Sequence, residues 1–377
     1  MDDDASNRPI ARVEDAALVP AGGPARLALS RLPRASEIAD AVASARGVST
    51  WAEGRLVVTA VPSRLVDAAG RVGGRELADL LEAAVVPAVD AWLGSPPDLE
   101  TPAGTLPTSQ RPVIMGVLNV TPDSFSDGGA HFDGARHPEQ AVEAGLALME
   151  AGADVVDVGG ESSRPGAEPV DEEEERRRVL PVIERLSGHG VVVSVDTTKA
   201  LVAREAVEAG AALVNDVSAG ALDGMLLATI ADLGVPYVLM HMRGTPRTMQ
   251  RDPRYADVVG EVYDFLADQL LRLEEAGVDP GKVVIDPGIG FGKTVGHNLE
   301  LLRRLREFTS LGRPVLVGTS RKAFLGSVSG EDDPGSRMVE SLTAAALAVA
   351  GGGRLLRVHD VPETRRAVSI AHAVATA

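Results

Sequence analysis

From Pro112 onward the chain alternates short apolar runs with longer stretches in which apolar residues recur every three or four positions. The runs are PVIMGVLN, ADVVDVGGE, VVVSVD, ALVND, YVLMHM, VVIDPG, PVLVGTSRK and LLRVHD. Near-continuous Val, Leu and Ile over so few residues predicts strands buried on both faces. The gaps carry helical periods, as in PEQAVEAGLALMEAG (138–152) and RYADVVGEVYDFLADQLLRLEEAG (254–277). Strand–helix alternation predicts parallel strands joined by crossover helices. An open doubly wound sheet competes, but eight strands with polar endings on all of them favour a (β/α)8 TIM barrel. That fold carries its chemistry at the C-terminal strand ends. The endings here are Asn119, Asp157, Asp196, Asn215 with Asp216, His241, Asp286, Lys322, and Arg357 with His359.

The stretch before Pro112 has a different pattern. Residues 1–24 read as a disordered lead-in. Residues 25–97 read as a small accessory α/β module: strands at ARLALSRL (25–32) and RLVVTAVP (55–62), a helix at SEIADAVASARG (36–47), and a helical pattern from Leu65 to Leu93 broken near Gly73 and Gly74. Residues 98–111, rich in Pro and Thr, read as a linker or a hairpin around Gly104. The barrel is expected over 112–377, about 265 residues and close to the roughly 250 of a typical barrel.

Composition narrows the chemistry. Aromatic residues are 3% of the chain, so the core is built mainly of Val, Leu, Ile and Ala. A net charge of −17 argues against a nucleic-acid or anionic-membrane surface. Cysteine is absent, which excludes disulfides, thiolate nucleophiles and Cys-based metal sites. The N-terminus, MDDDASNR, is unlike a secretory signal, and no apolar run reaches the roughly 18 residues of a membrane span. The expectation is a cytoplasmic enzyme.

Several loops are candidates for chemistry. NVTPDSFSDGGA (119–130) reads as a mobile lid bringing Phe125 and Asp127 over a ligand. Asn119 at its root suits a hydrated Mg2+, which needs few protein ligands. DVGGESSRPG (157–166) offers close backbone approach, hydroxyls and Arg164 to an anion. DEEEERRR (171–178) reads as a helix start with exposed ion pairs. Asp157, Asp196 and Asp286, joined by Asn215, suit a flat heterocycle with several N–H donors or a divalent metal. IDPGIGFGKT (285–294) misses the phosphate-loop spacing, because Pro287 stands where that motif needs Gly. GTSRK (318–322) and RVH (357–359) place Arg321, Lys322, Arg357 and His359 as a basic patch for a pyrophosphate or other dianion. No Ser–His pair at the strand ends suggests a covalent nucleophile.

NVTPDSFSDGG, GGESSRPGA, SVDTTK, NDVSAG, MHMRGTP, IDPGIGFGKT, GTSRKAFLG and RVHDV, in this order, resemble the dihydropteroate synthase family. The resemblance runs from about Val113 to Val361 and does not cover the first hundred residues. It implies a transferase of folate biosynthesis, and a sulfonamide target. Such an enzyme condenses 6-hydroxymethyl-7,8-dihydropterin pyrophosphate with 4-aminobenzoate, using Mg2+, and releases pyrophosphate. By resemblance Asp196, Asn215, Asp286 and Lys322 bind the pterin and Arg357 covers its face. Met240 and Phe291 wall the slot, Asn119 meets Mg2+ and pyrophosphate, and His359 with Arg357 takes the anion. Phe125, Asp127, Ser163, Arg164 and Pro165 belong to two closing loops. Ser320, with Phe125, Pro165 and Lys322, forms the aminobenzoate pocket. Ser163 stands where many relatives carry Thr. The alternatives are a methyltetrahydrofolate–corrinoid methyltransferase and a non-catalytic pterin-binding paralogue. A homodimer through the Ala-rich SLTAAALAVAGG (341–352) competes with simple packing of that helix in the barrel shell.

Overall fold

The computed structural model describes residues 10–14, 25–30, 48–52, 55–60, 75–121, 138–162 and 168–377. The expected helix at 36–47 and the loop residues Phe125, Asp127, Ser163, Arg164 and Pro165 lie outside them.

All eight expected strands form. They are β7 (Val113–Asn119), β8 (Val155–Gly159), β9 (Val193–Asp196), β10 (Leu213–Asp216), β11 (Tyr237–Met240), β12 (Val283–Asp286), β13 (Leu316–Val317) and β14 (Leu355–Val358). Neighbours pair in parallel in the order β12-β11-β10-β9-β8-β7-β14-β13. A parallel bridge between Ile285 and Val315 joins the two edges and completes the barrel. Helices such as Pro138–Glu150, Glu172–Gly188 and Val258–Glu275 fill the crossovers. No helix among the described residues is long and apolar enough to cross a membrane.

The two-residue period of the strands explains where the site sits. Alternate positions (Ile114, Val156, Val193, Val214, Leu239, Ile285, Leu356) pack outward with the helices in one apolar cluster. The intervening positions face the barrel axis. Their lower layer is apolar: Val113, Met115, Val155, Leu213, Val238, Val284, Leu316 and Leu355 cluster with Leu99 and Leu106. Those two leucines come from the hairpin β5 (Leu99–Thr101) and β6 (Gly104–Leu106), which stops the N-terminal end of the barrel. Two residues further up, the axis-facing position turns polar on four strands. Val155 is followed by Asp157, Leu213 by Asn215, Val284 by Asp286 and Leu355 by Arg357. Ser194 and Asp196 hold the equivalent places on β9.

The N-terminal region corrects two expectations. Within the supposed disordered lead-in, Ile10–Glu14 forms a strand, β1. With β2 (Ala25–Ser30), β3 (Val48–Ala52) and β4 (Arg55–Ala60) it makes an antiparallel sheet, order β1-β2-β4-β3, in which β1 and β3 are additions to the two expected strands. Only Glu53 and Gly54 separate β3 from β4, a length that selects a hairpin over a parallel crossover. Strand β1 is held by the barrel. Ala11 and Val13 are buried, and Tyr263 donates its hydroxyl to the Ala11 carbonyl at 2.9 Å. Arg12 is 3% exposed and sits between Glu307 at 3.3 Å and Asp257 at 3.5 Å. The helix Arg75–Leu93 packs on the short 3-10 segment Leu305–Leu311, with Arg306 stacked 4.6 Å from the Trp92 ring.

Candidate active site

At the centre of the polar layer, one guanidinium ties two strands to a third. Arg357 Nε donates to Asp157 Oδ2 at 2.6 Å, and its Nη2 donates to Asp196 Oδ2 at 2.7 Å. Asn215 Nδ2 also donates to Asp157 Oδ2, at 3.0 Å. Asp157 is 0% exposed, so it orients Arg357 and Asn215 and has no open surface for a ligand. Burial raises the Asp196 carboxyl to about 7; Arg357 opposes that rise, while Asp157, Glu175 and Asp216 add to it. Asp216, the other acid on β10, is consumed locally. It accepts from Ser218, Gly220 and the Tyr237 hydroxyl and serves the fold.

The loop after β12 closes one side of the site. Asp286 Oδ1 accepts from Gly288 N at 2.7 Å. Gly288 has φ +67°, and a Cβ there would stand 1.8 Å from the His241 carbonyl oxygen, so only glycine fits. Lys322 reaches over this loop, donating to the Ile289 carbonyl and lying 4.6 Å from the Phe291 ring. Burial brings its ammonium down to about 8, against the opposing pull of Asp286. Burial pushes Asp286 upward, with Lys322 opposing.

Lys293 was missed by sequence reasoning, because the Gly-Lys-Thr run was set aside with the phosphate-loop motif. The residue is 3% exposed. Its ammonium donates to His241 Nδ1 at 2.9 Å, the Phe291 carbonyl at 3.0 Å and the His241 carbonyl at 3.4 Å. Three donors meet three acceptors, and the lysine fastens the end of β11 to the β12 loop. Burial pushes both Lys293 and His241 toward their neutral forms.

The ends of β13 and β14 bring a second correction. A Ser–His pair is present: His359 Nδ1 lies 3.0 Å from Ser320 Oγ, which also accepts from the His359 backbone N–H at 3.2 Å. The partners are 39 residues apart in sequence, so their proximity is a product of the barrel alone. The basic patch is also less positive than expected. Arg321 pairs with Asp360 at 2.5 Å, and Arg357 with its two aspartates. Lys322 turns its ammonium to the Ile289 carbonyl and the Phe291 ring.

The helix Glu172–Gly188 starts as the DEEEERRR run predicts, with Asp171 accepting from Glu174 N at 2.8 Å and Arg178 pairing with Glu174 at 2.7 Å. Glu175 departs from the expected exposed pattern. It is 1% exposed and ion-paired with Lys199, which also holds Glu161 at 2.6 Å. It falls on the same helical stripe as Val179, Val182, Ile183 and Leu186, a period that marks it in the sequence.

Asn119, Asn215, Met240, Asp286, Phe291, Ser320, Lys322, Arg357 and His359 line one cavity of about 730 Å3, within the size range of small-molecule sites. Asp157 and Asp196 are not among its walls; Arg357 connects them to it. Polar groups from five strand ends thus converge on an apolar-floored cup. A model for pterin binding enzymes matches residues 115–359. The dihydropteroate synthase of Escherichia coli K12 is 44% identical over 278 residues, which are 73% of this chain and 95% of that one.

The chain belongs to the dihydropteroate synthase family. Solved structures of the family agree. Dihydropteroate synthase of Xanthomonas albilineans with 4-aminobenzoic acid has a TM-score of 0.69 at 47% identity, over 75% of this chain and 100% of the other. The same enzyme in complex with 7,8-dihydropteroate has a TM-score of 0.67 at 45% identity, over 74% and 100%. The family model starts at residue 115, within β7, so the N-terminal sheet and the helix Arg75–Leu93 lie outside the matched region.

Proposed function

We propose that this protein condenses 6-hydroxymethyl-7,8-dihydropterin pyrophosphate with 4-aminobenzoate, giving 7,8-dihydropteroate and pyrophosphate. One observation carries the reading. A single cavity joins acceptors for a flat N–H-rich ring (Asp286, Asn215), a cation beside an aromatic wall (Lys322, Phe291) and a histidine–serine rim (His359, Ser320).

In the proposed mechanism Asp286 and Asn215 accept and donate hydrogen bonds along the pterin edge, between Met240 and Phe291. Lys322 stands between the pterin and aminobenzoate places, and Ser320 lines the latter. Asn119 fits Mg2+. It is a neutral oxygen donor on the cavity wall. No group of three His, Asp or Glu among the described residues forms a metal cage, which suits an ion that keeps most of its waters. When bound, Mg2+ neutralises charge on the leaving pyrophosphate. His359 and Arg357 face the same charge.

The substitution is dissociative. The pterin methylene C–O bond breaks and its electron pair leaves with pyrophosphate. Asp196, linked through Arg357, lowers the energy of the resulting cation together with the ring's own delocalisation. The aminobenzoate nitrogen then forms the new C–N bond and releases a proton. Exclusion of water from the cation is assigned to Phe125, Asp127, Ser163, Arg164 and Pro165 by the family resemblance alone.

Pyrophosphate release measured with and without aminobenzoate tests the cationic step. Asp196→Asn is expected to slow release in both. Undiminished release would remove Asp196 from that step. We also infer a homodimer. Val339 (72% exposed) and Leu347 (54%) on the helix Met338–Ala350, and Ile370 (69%) and Val374 (75%) on the helix Val361–Thr376 packed against it, are exposed apolar side chains that a second copy would cover. Sedimentation of the purified chain reads this directly, and a monomer at micromolar concentration contradicts it.

A further inference from the structure

A second cavity, of about 540 Å3, lies away from the catalytic one, where the end of the N-terminal helix Arg75–Leu93 meets the barrel. Its lining includes Trp92, Ser95, Arg306, Arg313 and Arg354, and no carboxylate side chain. That is unusual in a chain with 54 acidic and 37 basic residues. None of the three arginines has an acidic partner within ion-pair distance among the described residues. Glu274 and Asp279 act on Arg313 only through space.

Three donors are also stranded there. Trp92 Nε1, Arg313 Nε and Arg354 Nε are buried without a hydrogen-bond partner. Trp92 is 6% exposed. Buried donors are nearly always satisfied, and leaving one bare costs about 1–3 kcal/mol. Water could satisfy a donor but would not balance three guanidinium charges. The partners that the arginines do have are neutral: Arg313 donates to the Gly312 carbonyl at 3.0 Å, Arg354 meets His372 Nδ1 at 3.3 Å, and Arg306 stacks on Trp92.

We propose that this cavity is a binding site for a small polyanion, with charge carried by phosphate or carboxylate groups. Arg306, Arg313 and Arg354 supply the charge and planar donor forks that suit either group. Trp92 supplies an apolar plate and one N–H. The site straddles the junction between the N-terminal module and the barrel, so an occupant would join the two parts. This goes beyond the condensation reaction, whose substrates have their own cavity.

The chain has two tryptophans, which gives a local reporter. In Trp51→Phe the emission comes from Trp92 alone. Titration with inorganic phosphate, and separately with citrate, is expected to give a saturable change that sodium chloride at equal ionic strength does not. The stronger of the two identifies the charged group. In the same background Arg313→Gln/Arg354→Gln should weaken binding by about tenfold or more, the loss of one charge-assisted hydrogen bond or several. The condensation rate should be unchanged.

No saturable change with either anion, or an unaltered titration in the double variant, overturns the proposal. A wild-type measurement covers the case in which the variants fold poorly. With the catalytic cavity filled by the pterin pyrophosphate, equilibrium dialysis should retain one further labelled phosphate or citrate per chain. Retention of neither overturns the site.

Discussion

Arg357 holds the fully buried Asp157 carboxylate at 2.6 Å through Nε while its Nη2 holds Asp196 at 2.7 Å. The β14 guanidinium is therefore the clasp between β8 and β9. Removing one partner of a buried ion pair leaves an uncompensated charge, at a cost of about 3–5 kcal/mol. Arg357→Met is expected to lose about 3 kcal/mol of stability in chemical denaturation. Arg357→Lys should recover less than half, since an ammonium cannot present the same planar fork to two carboxylates. A loss below about 1 kcal/mol in Arg357→Met would show that Asp157 is balanced by other means.

The pH profile follows from two displaced groups. Asp196, raised to about 7 and linked to the cavity through Arg357, must be ionised to lower the energy of a cation there, so the rate falls as pH drops through that value. Lys322, lowered to about 8, must keep its proton to donate, so the rate falls as pH rises through that value. The expected profile of kcat/KM is a narrow bell between these limbs. Asp196→Asn should flatten the acid limb and leave the alkaline one. Loss of the alkaline limb instead would reassign it.

The β12 loop is set by backbone contact. With a Cβ 1.8 Å from the His241 carbonyl and φ at +67°, Gly288→Ala must displace the loop that carries Phe291. Pterin affinity is expected to fall by at least about tenfold, a cost near 1.4 kcal/mol, when read by calorimetry. Lys293→Met acts on the same loop more gently. It loses the bonds to the Phe291 and His241 carbonyls but also removes a buried charge, so stability should change little. KM for the pterin substrate should rise more than kcat falls. A change confined to kcat would place Lys293 in the chemistry instead.

Arg12 tests the docking of the N-terminal sheet. It lies between Asp257 and Glu307, and Arg304 also pairs with Glu307, at 2.6 Å. Arg12→Ala should cost about 3 kcal/mol, the lower end for a buried pair, because Arg304 keeps its hold. Protease nicking before residue 75 should accelerate while the condensation rate persists. Equal nicking rates in variant and wild type would contradict docking through this residue.

The barrel and much of its rim were legible in the sequence, because one rule governs both. A strand with period two that ends on a polar residue puts that residue one layer above an apolar neighbour. Asn215 over Leu213, Asp286 over Val284 and Arg357 over Leu355 follow from that rule. What escaped depends on chain reversal. Lys293 is brought back to His241 by a loop with Gly288, Gly290 and Gly292 at positive φ, a path that no linear pattern encodes. Ser320 and His359 meet only because β13 and β14 are neighbours. Strand β1 is five residues long and takes its burial from the barrel, so its own pattern is too short to announce it. Glu175 was readable: it continues the buried stripe of its helix, but the neighbouring acids hid it.

The central claim is that the cavity joining Asn215, Asp286, Lys322 and Arg357 performs the condensation. The most direct measurement is Mg2+-dependent formation of dihydropteroate and pyrophosphate by the purified full chain, beside Lys322→Met and a shortened chain starting at Asp98. The account predicts equimolar products, a loss of about 100-fold or more in Lys322→Met (close to 3 kcal/mol of transition-state stabilisation), and near-equal rates for the full and shortened chains. Pterin binding without product, in the presence of Mg2+ and aminobenzoate, would contradict it.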